Sequence, residues 1–266
     1  LWCFYVSRGQ GVASFGAGER DGAMMEYVPA VTAYEDTARK GFRTFISCGG
    51  RCFEPFAPDD PAQKQELRVS RAALELRALH EPSDIEVRVE YRILPGEDMG
   101  ALMRRVTVRN TGGGSITFRL ADGMARVIPA GIRNREFREM ANLLKSYFDA
   151  RLDGSGAALF SSRTTTENTA RVGSVRRKNF YFASSGGRAM KLVCDPVRLF
   201  GPDTALGRPA RFYEAGFDMG GAPSDARDGI PCAMALGEFS LAPGGEAVID
   251  AFAGSADSAE QAALYT

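Results

Sequence analysis

Residues able to carry chemistry are few in this chain and seldom grouped. His80 is its single histidine, so a Ser–His–Asp or Cys–His arrangement would have to use it. Nothing around it resembles a nucleophile elbow, and a lone histidine near a strand end reads as structural or exposed. Sites that hold a metal through several histidines are excluded. Glu97-Asp98 is the adjacent acid pair that glycoside chemistry would invite, but it falls in the turn sequence PGEDMG, where neighbouring acids solvate the turn. Asp195, Asp203, Asp218, Asp225 and Asp228 crowd one irregular stretch and are candidates to line a loop-built site, although no spacing selects a pair among them. The glycine clusters GQGVASFG, GGR, TGGG and SSGG lack the strand–GxGxxG–helix or GxxxxGK(S/T) setting of phosphate loops. Spacing alone therefore assigns no catalytic residue, no cofactor-binding residue and no metal ligand.

The five cysteines are an odd number, which argues against a fully paired disulfide framework. Cys48 and Cys52 flank an expected turn at GGR and could form only half of a zinc site, since Cys3, Cys194 and Cys232 are scattered singly. Buried or edge thiols in a reducing cytoplasm are the expectation. Lys+Arg and Asp+Glu both number 33, so no net charge favours nucleic acid or an anionic membrane as partner. No apolar run approaches the roughly 20 residues of a membrane span.

The elements that must position these residues are mostly strands. Ile85, Val87, Val89, Tyr91 and Ile93 alternate with Glu86, Arg88, Glu90 and Arg92, the pattern of a strand with one wet face. ALMRRVTVRN is expected as its antiparallel neighbour, and Ile116, Phe118 and Leu120 as the third strand of a meander. Further short strands are expected over 2–6, 13–15, 32–34 and 42–48, the last turned at Gly49-Gly50 into 51–53. Residues 66–80 fit a strand pair or a short helix equally. Strands at 158–161, 180–183 and 190–194 follow, and 233–241 and 247–252 close the chain as a hairpin about Pro243-Gly244-Gly245. One amphipathic helix stands out within 134–149, with Phe137, Met140, Ala141, Leu144 and Phe148 on its apolar face and Asn134 as its cap. Phe137 and Leu144 are expected to be buried. The fold class expected is mainly β, an antiparallel β-sandwich with one principal helix.

Two segments carry a resemblance. DGMARVIPAGIRNREFREMANLLKSYFDA, with Asp122-Gly123, Pro129-Ala130-Gly131 and the helix behind them, resembles the stretch after the early strands in β-1,2-oligoglucan phosphorylases of glycoside hydrolase family 94. CDPVRLFGPDTALGRPARF is similar to a second run of that family at Asp195-Pro196, Phe200-Gly201, Thr204-Ala205-Leu206 and Arg208-Pro209. The resemblance implies the N-terminal β-supersandwich domain, of galactose-mutarotase-like type, of a longer cytoplasmic glycoside phosphorylase. It implies a sandwich over 1–254 and, over 255–266, the start of a linker helix towards an (α/α)6 catalytic barrel. In such an enzyme the aspartate acid lies in the barrel, so no catalytic position carries over to this chain. Inorganic phosphate would be the co-substrate of the parent enzyme and no cofactor is implied. The implied partners are the barrel and an oligosaccharide, with no nucleic acid and no membrane, and self-association into a homo-oligomer is a further expectation. A carbohydrate-binding module, which would need an aromatic platform drawn from Tyr27, Tyr34, Tyr181 and Tyr213, and a purely structural assembly domain are the alternatives.

Overall fold

The computed structural model describes residues 1–93, 100–164, 173–221 and 225–265; Glu97-Asp98 and the turn that holds them lie outside these. Its main body is a sandwich of two antiparallel sheets. The larger, ten-stranded sheet runs in the order Ala226–Arg227, Phe148–Leu152, Ala158–Ser162, Lys178–Ser185, Glu246–Ala256, Gly100–Asn110, Ile85–Ile93, Leu74–His80 and Gln63–Val69, with Arg188–Ala189 paired off this path. The five-stranded sheet runs Lys191–Val193, Ala233–Leu241, Ile116–Met124, Phe42–Cys48 and Arg51–Phe53. A small third sheet joins Trp2–Tyr5, Val12–Gly16 and Ala23–Met25.

Strand alternation decides what fills the space between the sheets. Val87, Val89 and Tyr91 from one strand meet Leu102, Val106 and Val108 from its neighbour and face Phe42, Ile46, Phe118 and Leu120 across the sandwich. Glu86 is the exception on the solvent phase: it is buried, and it holds Arg77 and Arg88. The ambiguous stretch 66–80 resolves as an antiparallel pair, because it adds two strands to the end of this sheet.

Two expected pairings are corrected. Ile116–Met124 does not extend the meander beside Gly100–Asn110; it crosses to the five-stranded sheet and pairs with Phe42–Cys48 and Ala233–Leu241. Likewise, Ala233–Leu241 and Glu246–Ala256 do not form a hairpin, because they belong to different sheets. The two crossings run side by side. Fully buried Asn110 joins them, its Nδ2 donating to the carbonyls of Gly114 at 2.7 Å and Ala242 at 3.1 Å. Alternation fixes which face of a strand is apolar, and either sheet offers the same apolar interior.

The helix content is also revised. Residues 32–34, expected as a strand, lie in helix α1, Ala30–Lys40. Ala33 and Thr37, one turn apart, are its buried face, and Arg39 and Lys40 suit the negative end of its dipole. Helix α2, Asn134–Leu144, is the expected one, but it ends earlier and passes through a tight turn at Lys145–Tyr147 into the strand Phe148–Leu152. Its first turn is capped by Glu136, whose carboxylate accepts the Arg133 N–H at 3.2 Å. Asn134 is instead the first helical residue, and its amide is tied both ways to the backbone of Tyr27, at 2.8 and 3.0 Å. Phe137 is buried and its ring stacks on that of Phe148 at 6.1 Å, whereas Leu144 is half-buried and Met140 is 40% exposed. Accordingly, Leu144→Ala should cost about 1–2 kcal/mol, less than a fully buried truncation, and Lys145→Ala should stay within about 0.5 kcal/mol. Equal losses in urea unfolding would place the helix face wrongly.

Two shorter helices, α3 (Val197–Phe200) and α4 (Ala259–Leu264), complete the α-helices among the described residues. Residues 195–221 are not a free loop. Leu199, Phe200, Leu206 and Phe212 cover the outer face of the five-stranded sheet, where they pack on Phe45, Ala121, Met234 and Leu236. Among the described residues, no helix is long and apolar enough to cross a membrane.

Candidate functional site

This cover and α2 leave a groove of about 810 Å³ between them. One wall is α2, through Arg138, Met140, Ala141 and Leu143; the other is formed by Asp195–Val197, Gly201–Thr204 and Asp225–Ile230. Glu26, Lys40, Ala125 and Arg126 form its floor.

Four of the five loop aspartates, Asp195, Asp203, Asp225 and Asp228, are brought to this groove, and Asp218 lies outside it beside Arg198 and Arg211. All four, however, are occupied in building the loops. Asp195 accepts the Val197 N–H at 3.0 Å and Asp225 that of Leu152 at 3.1 Å. Asp203 takes two, from Ala205 at 2.9 Å and Gly207 at 2.7 Å, and Asp228 is paired with Arg163. These are the bonds by which short acidic side chains shape turns.

Glu26 differs, and no motif or spacing pointed to it. Among the described residues it makes no hydrogen bond and no ion pair within 4 Å, although Arg126 and Lys40 stand close enough to act on its charge. Burial pushes its carboxyl up, and Lys40 and Arg126 oppose that rise. Burial likewise pushes Arg126 down, against Glu26 and Asp36, while its Nη2 donates to the Thr204 carbonyl at 3.3 Å. A perturbed carboxylate and guanidinium on the floor of a groove mark a site candidate. Only the adjacency of Glu26 to the Ala23–Met25 strand, and of Arg126 to the end of Ile116–Met124, could have linked them.

The other residues singled out by type have structural places. His80 is buried and stacked on Phe53 with ring centroids 3.9 Å apart, and desolvation pushes its pKa down. None of the five cysteines is in a disulfide; burial pushes Cys3 and Cys194 up to about 12. The described residues contain no group of three or more His, Cys, Asp or Glu able to hold a metal ion. Tyr181 is fully buried and Tyr213 donates to the Phe53 carbonyl at 3.0 Å, so neither can serve a platform. Tyr27 and Tyr34 are exposed, and Tyr27 clusters with Trp2 and Phe4 at centroid distances of 6.0 and 5.5 Å.

No protein-family model and no curated protein matches the chain. Among solved structures, it is similar to a polysaccharide lyase, with a TM-score of 0.53 at 10% identity over 98% of this chain and 33% of the other. It is similar to a bacterial glucoamylase complexed with acarbose at a TM-score of 0.48 and 12% identity, over 96% of this chain and 30% of the other. A candidate kojibiose phosphorylase from the human microbiome gives 0.31 at 8% identity, over 81% and 22%. These neighbours are carbohydrate-active enzymes, and the chain spans about a third of the length of the first two. At 10% identity the first likeness establishes a shared fold.

Proposed function

We propose that this chain is a non-catalytic sandwich domain of a carbohydrate-active enzyme, an inverting phosphorylase of β-linked gluco-oligosaccharides in which the groove fringes the sugar site. The observation that carries this reading is the correspondence of nearly the whole chain to one third of a polysaccharide lyase. The phosphorylase class rests on the resemblance at Asp122-Gly123, Pro129–Gly131 and Asp195-Pro196. Inverting phosphorolysis needs phosphate at the anomeric carbon and one acid to protonate the leaving oxygen. Asp122 cannot be that acid, since it is fully buried against Arg104. The groove aspartates hold their own loops. The acid would therefore come from a partner barrel, towards which α4 would lead.

The expected result is that the chain turns over no cello- or sophoro-oligosaccharide, with or without phosphate, when phosphate consumption and reducing ends are followed. Turnover that persists in repurified protein would overturn the reading. A second reading, a carbohydrate-binding module, is favoured by one observation, the surface cluster of Trp2, Phe4 and Tyr27.

A further inference from the structure

We infer that Glu26 and Arg126 form a binding site for a neutral sugar on the groove floor, Glu26 accepting from one hydroxyl and Arg126 donating to its neighbour. The inference rests on the carbohydrate reading above and adds to it a site and a ligand class.

Rigidity comes first. Around Glu26, the carbonyl of Met24 accepts from Ile128 at 2.9 Å and the Tyr27 N–H donates to Asn134 at 2.8 Å. Around Arg126, Ala125 donates to the Gly41 carbonyl at 3.0 Å and Val127 to that of Pro231 at 2.9 Å. The two side chains thus leave a backbone clamped on both sides, the pre-organisation a recognition site needs.

Unmet polar demand comes next. Both side chains are half-buried, yet they form no ion pair with each other. Each has given up hydration without full replacement, which a ligand offering a donor beside an acceptor restores. Vicinal hydroxyls of a pyranose are such a pair.

Charge selects against the other ligand classes. An anion drawn to Arg126, Lys40 and Arg138 would also meet Glu26 and Asp203, and a cation would meet the reverse. Met140, Leu143 and Val197 are 40%, 74% and 46% exposed on the walls, which gives the C–H faces of a sugar ring apolar surface to lie on. The groove's 810 Å³ falls within the usual range for small-ligand sites.

The test is calorimetric titration of the chain with cellotriose, and with trigalacturonate as an anionic counterpart. Cellotriose should bind saturably and more tightly than trigalacturonate. Glu26→Gln and Arg126→Gln should each weaken it tenfold or more, with circular dichroism and melting temperature confirming folded protein. Leu143→Arg, a change at an exposed position, should block the groove and weaken binding even if the floor variants fold poorly, while Phe4→Ala, in the exposed aromatic cluster, should leave it unchanged. Absent cellotriose binding, unchanged binding in folded floor variants, or tighter trigalacturonate binding would each overturn the inference. So would loss with Phe4→Ala alone, which would move the sugar to the aromatic cluster. None of these outcomes touches the non-catalytic reading, which turnover decides separately.

Discussion

Asp122→Ala is expected to lower the free energy of unfolding by about 3–5 kcal/mol, the usual cost of leaving one member of a buried ion pair alone. Asp122 and Arg104 sit on opposite sheets at 0% and 1% exposure and are paired across the sandwich. Asp122 also accepts the Thr44 hydroxyl at 2.6 Å, while Arg104 donates to Tyr91 at 3.2 Å, to Thr44 at 3.3 Å and to Gln10. The Arg104 guanidinium lies 5.2 Å from the Phe42 ring centroid and 5.7 Å from that of Tyr91, so its surroundings are otherwise apolar. Removing the carboxylate strands a cation where water cannot reach it. Replacing both partners, as Arg104→Met with Asp122→Leu, should cost less than Asp122→Ala alone, because no charge is then left buried. Urea unfolding of the three proteins checks this, and a loss below about 1 kcal/mol for Asp122→Ala would contradict it.

Arg43→Met should cost about 2–4 kcal/mol and should loosen the 195–214 cover before the rest of the sandwich. Arg43 binds both carboxylate oxygens of Glu54 at 2.6 Å, and donates to the carbonyls of Leu206 and, at 2.8 Å, Gly207. It also lies over the rings of Phe45 and Phe200. Hydrogen exchange should therefore quicken first at Leu199, Leu206 and Phe212. The pH dependence has a definite sign. Burial already pushes the Glu54 carboxyl up while Arg43 opposes it, so the variant's folded-state pKa rises further. A raised folded-state pKa means that the folded chain holds its proton more tightly. The variant should then regain stability as pH falls from neutral through that pKa, levelling off near the unfolded value of about 4.3. A variant whose deficit relative to wild type stays constant between pH 7 and 5 would contradict this assignment.

The sequence made the strands legible because one side of each is wet. Ile85–Ile93 could be read from alternation alone, and Gly49-Gly50, at φ +54° and +76°, announced its own tight turn. It did not reveal which sheet a strand joins, because Ile116–Met124 and Glu246–Ala256 present the same apolar phase to either. Helix α1 was hidden for another reason. Val31, Thr32 and Tyr34 favour strands locally, and only the packing of Ala33 and Thr37 on the body makes that stretch helical. One signal was present and unused: Arg104 stands in phase with Leu102, Val106 and Val108, and Asp122 with Phe118 and Leu120. A charge in the apolar phase of each of two strands foretells a buried pair. The groove offered no comparable clue. Glu26, Arg126, α2 and the 195–230 cover come from distant stretches that meet only through the fold, while the acids that attracted attention were turn builders.

The strand Glu246–Ala256 lies in the middle of the ten-stranded sheet, between Lys178–Ser185 and Gly100–Asn110. It is thus the seam of that sheet, and it follows both flanking groups of strands in the chain. Until it emerges, the strands from 63 to 110 and those from 148 to 185 are two half-sheets, each with an unpaired edge where the seam belongs. Such edges recruit other chains, and long-range pairings of this kind form slowly. Residues 63 to 256 must therefore all be made before the largest sheet can close, and both edges stay open throughout that interval.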